Sequence, residues 1–343
     1  MKSIAILFFA LFLAGTALTA QTSAQTPQVS NAKLENLSPD GGLEAALKQA
    51  SRGGGTVWVG WSVPMVAGQR RFCCLDREFK PAACNLEGRS QSWGSSDRDA
   101  PRQDQKLIVL VRYQDGKVNR VNGFSEDCPL DAGGRRFVWL GAVQPEQSVA
   151  FMAGLATEES ITSLALHRNA NADAALEELA SAPRPLKTRE HALFWLGQTR
   201  GERGARFLEK VLREDRSDDV REKAVFSLSQ SEAAWAADTI ARTGREDRSE
   251  KIRGEALFWL AQMDAPQAAE VILEAIAKDP AEDVREKAVF SLSELPDGKG
   301  VRHLIRLGRE ARDPKVRKEA FFWLAQSDDP EALKYLDKVL NDD

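Results

Sequence analysis

The chain has 343 residues, of which 43% are hydrophobic and 29% charged, and its formal net charge is −4. This composition is ordinary for a soluble globular protein. A mildly acidic chain has no general attraction for phosphate backbones, so we expect no nucleic acid as the main partner.

The N-terminus has the pattern of a secretory signal peptide. Lys2 precedes an apolar run over residues 4–14, which small residues follow up to Ala20. The run is too short for a spanning helix, and no later segment is apolar enough, so we expect no membrane span after signal removal. Cleavage is predicted after Ala20, or else after Ala24; an uncleaved membrane anchor is the alternative. No cysteine follows the run, which disfavours a lipoprotein. We therefore predict a periplasmic or secreted protein with a signal peptide over residues 1–20.

Residues 21–36 are polar and are predicted to be a disordered linker, and residues 37–143 a small domain with four cysteines. A helix is predicted to begin at Ser38-Pro39 and to carry Leu43 and Ala50, with strands over 56–63, 107–113 and 137–140. Asp115-Gly116 is a strong hairpin signal, so a further strand returns directly after it. The pattern predicts a small antiparallel sheet with one helix packed on it, and an α+β class for the whole chain.

All four cysteines precede residue 130: Cys73, Cys74, Cys84 and Cys128. An even number in an exported protein indicates two disulfides, each typically worth about 2–4 kcal/mol. Direct bridging of the adjacent Cys73 and Cys74 would strain the peptide, so each is predicted to pair with Cys84 or Cys128. The adjacent pair has a poor spacing for zinc. A redox-active pair is the alternative to structural disulfides.

After a connecting helix over residues 144–156, the sequence repeats with a period of 32 residues to the C-terminus. The period is visible in Phe194, Phe226, Phe258, Phe290 and Phe322, and in Arg189, Arg221, Arg253, Arg285 and Arg317. Such a period marks a stacked solenoid, whose units must pack on one another because none can bury its own apolar face. We predict about six helix pairs over residues 157–343, the first an imperfect cap.

The helical wheel assigns roles to the repeated positions. The Phe series lies on the flank that meets the neighbouring unit, which predicts an inter-repeat packing ladder; an exposed aromatic stripe that grips a partner is the alternative. The Arg series is expected to pair with acidic residues of adjacent loops. Asp219 with Glu222, and Asp283 with Glu286, have capping-box spacing. Residues 219–229 recur identically at 283–293, which indicates a duplicated two-unit block.

These repeats resemble HEAT-like repeats, in particular the short variety of the phycobilisome lyases. The resemblance rests on Val220-Arg221 with Ala224 and Leu228, on the same pattern from Val284, and on Asp313-Pro314 with Arg317 and Ala320. It implies an α-solenoid that binds proteins and carries over no catalytic residue. The N-terminal domain resembles no family.

No catalytic, cofactor or metal site is predicted. The histidines are His167, His191 and His303, and the last two are interpreted as solvated helix residues. Metalloprotease, nucleophile-elbow and phosphate-loop motifs are absent from the sequence.

The favoured hypothesis is therefore an exported, non-enzymatic scaffold that presents a curved surface to a protein partner. The alternative is a thiol-active or otherwise catalytic N-terminal domain whose repeats recruit a protein substrate. By resemblance, the second helix of each unit would line the concave side and hold the partner. The exposed residues predicted to form this surface are Arg206, Glu209, Glu274, Arg302, Arg306 and Lys334.

Overall fold

The computed structural model describes residues 26–78, 80–88, 92–95 and 100–341. The predicted signal peptide lies outside these residues. The first part of the chain forms strands and one helix, with these bounds: β1 Val29–Ser30, β2 Lys33–Asn36, α1 Leu43–Ala50, β3 Thr56–Pro64, β4 Phe72–Leu75, β5 Pro81–Ala82, β6 Cys84–Asn85, β7 Ser92–Ser95, β8 Lys106–Gln114, β9 Lys117–Ser125, β10 Leu130–Asp131 and β11 Arg136–Ala142.

The main sheet has the order β2-β11-β3-β8-β9 and contains all four predicted strands. The β8–β9 hairpin turns at Asp115 and Gly116, both with positive φ as a tight primed turn requires. β3, β8 and β9 are antiparallel, but β11 runs parallel to β3 and to β2. The α+β class is confirmed, whereas the sheet is mixed and not antiparallel. The direction of β11 could not be predicted, because the alternation of apolar residues shows which face of a sheet each side chain occupies and not the direction in which the strand runs.

The prediction of a disordered linker over residues 21–36 was wrong for its described part. β1 pairs in parallel with β10, and β2 pairs in parallel with β11. The order comes from the backbone, since the Lys33 amide donates to the Arg135 carbonyl and the Leu37 amide to the Trp139 carbonyl, both at 3.0 Å. All four side chains of β2 are exposed. An edge strand of this kind leaves no hydrophobic pattern in the sequence.

The main sheet is buried on both faces, which explains the unbroken apolar run of β3. Trp58, Leu110 and Phe137 lie on one face, packed among the cysteines. Val59 and Trp61 lie on the other face, in a core that contains α1 and continues without a break into the repeats. The sheet domain and the repeats therefore share one hydrophobic core.

The rest of the described chain is helical, and residues 157–341 form six helix pairs after the connecting helix, in agreement with the predicted unit number. The bounds are α2 Pro145–Leu155, α3 Glu158–Ala165, α4 Ala170–Ala180, α5 Leu186–Thr199, α6 Gly201–Glu214, α7 Asp218–Ser229, α8 Ala236–Glu246, α9 Glu250–Gln262, α10 Ala268–Lys278, α11 Glu282–Ser293, α12 Val301–Glu310, α13 Pro314–Ala325 and α14 Pro330–Asn341, with a 3₁₀ turn at Pro296–Gly298. No helix in the described ranges has both the length and the apolarity needed to cross a bilayer.

The helices of each pair alternate between two rows. The first helices, α3, α5, α7, α9, α11 and α13, contact one another closely from unit to unit, whereas the second helices, α4 to α14, contact their counterparts much less. Gly197 illustrates the close approach, because a Cβ built there would lie 2.5 Å from the Ser227 carbonyl oxygen. We call the closely packed first-helix row the inner side and the more widely spaced second-helix row the outer side.

Candidate functional site

The repeated arginines link consecutive units. The Arg221 guanidinium, fully buried, binds the Asp247 carboxylate of the next loop at 3.0 and 3.1 Å and donates to the Asp215 carbonyl behind it at 3.0 Å. Arg253 repeats both contacts one unit later, to Asp279 and to the Asp247 carbonyl. Burial opposes the charge of Asp279, but hydrogen bonds from Arg253 and the Ala281 amide hold the pKa of its carboxyl below its usual value.

The same aspartates also organise the helix starts. Asp215, Asp247 and Asp279 each accept a hydrogen bond from the amide two residues ahead, at 2.8–2.9 Å. The predicted capping boxes do not form, because α7 and α11 begin two residues earlier than those boxes require. The predicted start at Asp313-Pro314 is present, since the Asp313 side chain accepts from the Lys315 amide. The Arg row and its aspartates therefore have a structural role.

The repeated phenylalanines form a continuous line of rings on the inner side. Phe194 stacks on Phe226 with centroids 6.2 Å apart, and Phe258 stacks on Phe290 at 5.6 Å. Trp259 joins the two stacks, with its ring 4.9 Å from that of Phe226. We call this line the aromatic ridge; its members are Phe194, Phe226, Phe258, Trp259, Phe290, Phe322 and Trp323.

The ridge is both a packing ladder and an accessible surface. Its members are only partly buried, and the Phe322 side chain is 50% exposed. Lys223 lies over the first stack, with its ammonium 4.5 Å from the Phe226 centroid, and Lys287 lies over the second stack, 5.2 Å from the Phe258 centroid. The two alternatives that the sequence left open are therefore features of the same row of side chains.

The six residues of the predicted partner surface lie on second helices, as expected, and therefore on the outer side. Arg302, Arg306 and Lys334 are exposed. Glu209 binds Arg206 and Arg242, and Glu274 binds Arg245 and Lys278, so these residues take part in ion pairs within and between units. The expectation that they line the concave side and hold a partner stays a prediction.

The spread of the second helices leaves grooves between them. One groove of about 540 Å³ is lined by Glu209, Arg242 and Arg248, and another of about 360 Å³ by Arg245, Glu274 and Lys278. Both are wide open and lined mainly by charged side chains that pair with one another. Surface ion pairs of this kind contribute little to stability or binding.

In the sheet domain, Cys73 is bonded to Cys128 and Cys74 to Cys84, and all four are at most 2% exposed. Asp127 lies within 4.8 Å of Cys73 and Cys128. Because both sulfurs are in the disulfide, one carboxylate is the only ligand left at this cluster, and it already pairs with Arg71 and Arg102. The chemistry of this donor set does not fit a metal.

A buried polar network joins the sheet to the first repeat. The Trp61 indole donates to Ser148 Oγ at 2.8 Å, and Ser148 Oγ lies 2.7 Å from His167 Nε2. His167 Nδ1 faces the Ser163 carbonyl at 2.8 Å. Since a carbonyl can only accept, Nδ1 carries the proton and Ser148 donates to Nε2. Burial lowers the pKa of His167 to about 4.

Neither His167 nor Ser148 is accessible, so this pair fixes the junction and does not attack a substrate. The interpretation of His191 as a solvated residue was wrong: it is half-buried beside Trp195, and Thr162 Oγ1 lies 3.0 Å from its Nε2. Burial lowers the pKa of His191, and also that of the partly buried His303. The junction could not be found from sequence, because its members carry no periodic or motif signal.

Residues 238–320 match the family model of HEAT repeats, which confirms the resemblance to HEAT-like repeats for this part of the helical array. No curated protein matches the chain. Among solved structures, human deoxyhypusine hydroxylase in complex with glycerol is 20% identical, with a TM-score of 0.33, over 48% of this chain and 66% of that one, just under two thirds. The complex of CpcE and CpcF of phycocyanin lyase from Nostoc sp. PCC7120 is 17% identical, with a TM-score of 0.30, over 53% of this chain and 76% of that one.

Proposed function

We propose that this protein is an exported, non-enzymatic interaction scaffold, in which the repeats bind a protein partner on their inner side. The aromatic ridge is the observation that carries the proposal. Aromatic side chains dominate the energetics of protein interfaces because each buries a large area at a low cost in conformational entropy. A row of partly exposed rings on the side where the units converge offers such an area across consecutive repeats.

The sheet domain supports this reading as an anchor for the repeats. Its core is continuous with theirs, and the Trp61–Ser148–His167 network leaves little freedom between the two parts. The burial of all four cysteines supports structural disulfides over the thiol-active alternative, since exchange requires access to a sulfur. Export agrees with these disulfides, which persist in oxidising compartments.

A capture experiment on the full chain tests the proposal. The tagged protein, purified from an envelope fraction under native conditions, is compared with the double variant Trp259→Ser and Trp323→Ser. Serine stands at the equivalent positions of the alternate units, as Ser227 and Ser291, so the fold accepts it. We expect the wild type to retain a stoichiometric partner that the variant loses.

Trp235→Ser is the matched control, because Trp235 is a partly exposed tryptophan on the outer side, where Arg206 covers its ring at 4.0 Å. It should leave capture unchanged. If the wild type and the inner-side variant capture the partner equally well, the ridge is not part of the partner surface. The same conclusion follows if the control loses the partner to the same extent as the inner-side variant. Recovery of the protein in the cytoplasmic fraction, with its leader intact, would overturn the proposed export.

A further inference from the structure

A second row of similar polar groups runs beside the aromatic ridge. Each ridge phenylalanine is followed four residues later, and therefore one helical turn away on the same face, by a side chain with a carboxamide or carboxylate end. These residues are Gln198, Gln230, Gln262, Glu294 and Gln326. All except Glu294 are exposed. Gln198 and Gln326 make no side-chain hydrogen bond within the described part of the chain, so their donors and acceptors face water.

A third row, three residues before each phenylalanine, consists of His191, Lys223, Glu255, Lys287 and Glu319. Its last four members are charged and alternate in sign. Lys287 binds Glu255 at 3.2 Å, so members of this row form an ion pair between neighbouring units. At the positions three and four residues before and four residues after Phe258, Phe290 and Phe322, the carboxylates Glu255, Glu286, Glu294 and Glu319 outnumber the ammonium groups Lys287 and Lys318. The surface there favours a cationic occupant, whose Arg or Lys side chains can also lie on aromatic rings.

The spacing of these rows suits an extended chain. Packed helices lie about 8–10 Å apart, and an extended chain rises about 3.3 Å per residue, so one repeat spans about three residues. A helical ligand would satisfy its own backbone groups and leave the carboxamide row without partners. An extended segment presents free N–H and C=O groups, which a carboxamide can accept from and donate to at the same time.

We propose that the inner side binds an extended, basic peptide segment that crosses the first helices. The glutamine row hydrogen-bonds to its backbone, the ridge packs against its apolar side chains, and the carboxylates around Phe290 receive its Arg or Lys side chains. This inference rests on the proposed function and specifies the chemistry of the partner.

Fluorescence anisotropy with two labelled dodecapeptides tests it on the full chain. One peptide consists of Arg-Phe-Ser triplets, and the other of Glu-Phe-Ser triplets, so that they share the aromatic content and differ in charge. We expect the Arg peptide to bind at least about tenfold more tightly. The double variant Gln262→Ala and Gln326→Ala should weaken it about tenfold through lost backbone contacts.

The double variant Glu255→Lys and Glu319→Lys should abolish or reverse the preference for the Arg peptide. Lysine already stands at the equivalent positions Lys223 and Lys287, so this change is compatible with the fold. Arg302→Ala with Arg306→Ala, on the outer side, is the control and should change neither affinity. Thermal unfolding of each variant verifies that it is folded.

Equal binding of the two peptides, no binding of either, or equal losses in the outer-side control would overturn the inference. The capture experiment separates this failure from that of the proposed function. If the tryptophan variant loses its partner while neither peptide binds, the scaffold function stands and its ligand is not an extended basic segment. If no partner is captured at all, the proposed function fails first.

Discussion

The sheet domain and the repeat array both depend on links between side chains, but the links differ in range. In the sheet domain, Cys73 is bonded to Cys128 across a separation of 55 residues. In the repeats, the arginine of each of three consecutive units binds an aspartate 26 residues ahead, as Arg221 does with Asp247. A link that repeats at a fixed short distance leaves a period in the sequence. A single long-range link leaves no such period.

Charged groups show the same contrast. Glu87 in the sheet domain receives two hydrogen bonds from Arg112 and others from Trp58 and Arg135. Arg112 is the main reason that the pKa of the Glu87 carboxyl falls to about 2. These four residues come from separate segments and show no pattern together. Arg221 and Asp247 have a comparable contact, yet their counterparts recur in neighbouring units. Three predictions test this difference, and the largest concerns the repeats.

Arg221→Ala should lower the free energy of unfolding by about 3–5 kcal/mol, because it leaves Asp247, 7% exposed at its side chain, without its counter-ion. Urea unfolding measures the change. Arg317→Ala is the matched control, since in the described structure Arg317 binds the backbone carbonyls of Ala311 and Arg312 and no carboxylate. Its effect should be clearly smaller. Equal losses of unfolding free energy in the two variants would show that the ion pair with Asp247 adds nothing to the contribution of Arg221.

The two disulfides of the sheet domain should differ in their contribution to stability. By loop-closure entropy, the Cys73–Cys128 bond, with a separation of 55, is worth about 4 kcal/mol, and the Cys74–Cys84 bond, with a separation of 10, about 3 kcal/mol. The paired variants Cys73→Ala with Cys128→Ala, and Cys74→Ala with Cys84→Ala, are compared by urea unfolding. A larger loss of unfolding free energy on removal of the Cys74–Cys84 bond would contradict the expectation that the disulfide with the longer sequence separation stabilises more.

Acidification should destabilise the junction between the two regions. His167 has its folded pKa lowered to about 4 from 6.5, so the unfolded chain takes up its proton first, and stability is lost as the pH falls from 6.5 to 4. The loss amounts to about 3 kcal/mol. The measurement is the pH dependence of unfolding for the wild type and for His167→Gln, which cannot be protonated. Parallel curves between pH 6.5 and 4 would argue against a buried neutral histidine.

Much of the repeat surface could be predicted from the sequence, since the Phe series and its step of 32 residues place the ridge on one row of helices. Which of the two rows packs more closely could not be predicted. The packing depends on how closely Gly197 lets α5 approach Ser227, a distance between backbones that no pattern encodes.

By itself, the sequence determined the repeat architecture, four of the five strands of the main sheet and the expectation of two disulfides. Each depends on short-range periodicity or on residue type, which are properties of the chain. Tertiary structure decided the parallel placement of β11, the ordering of β2 at the sheet edge and the burial of His167 between sheet and repeats. These features depend on which distant segments meet, and a folded backbone is needed to bring them together.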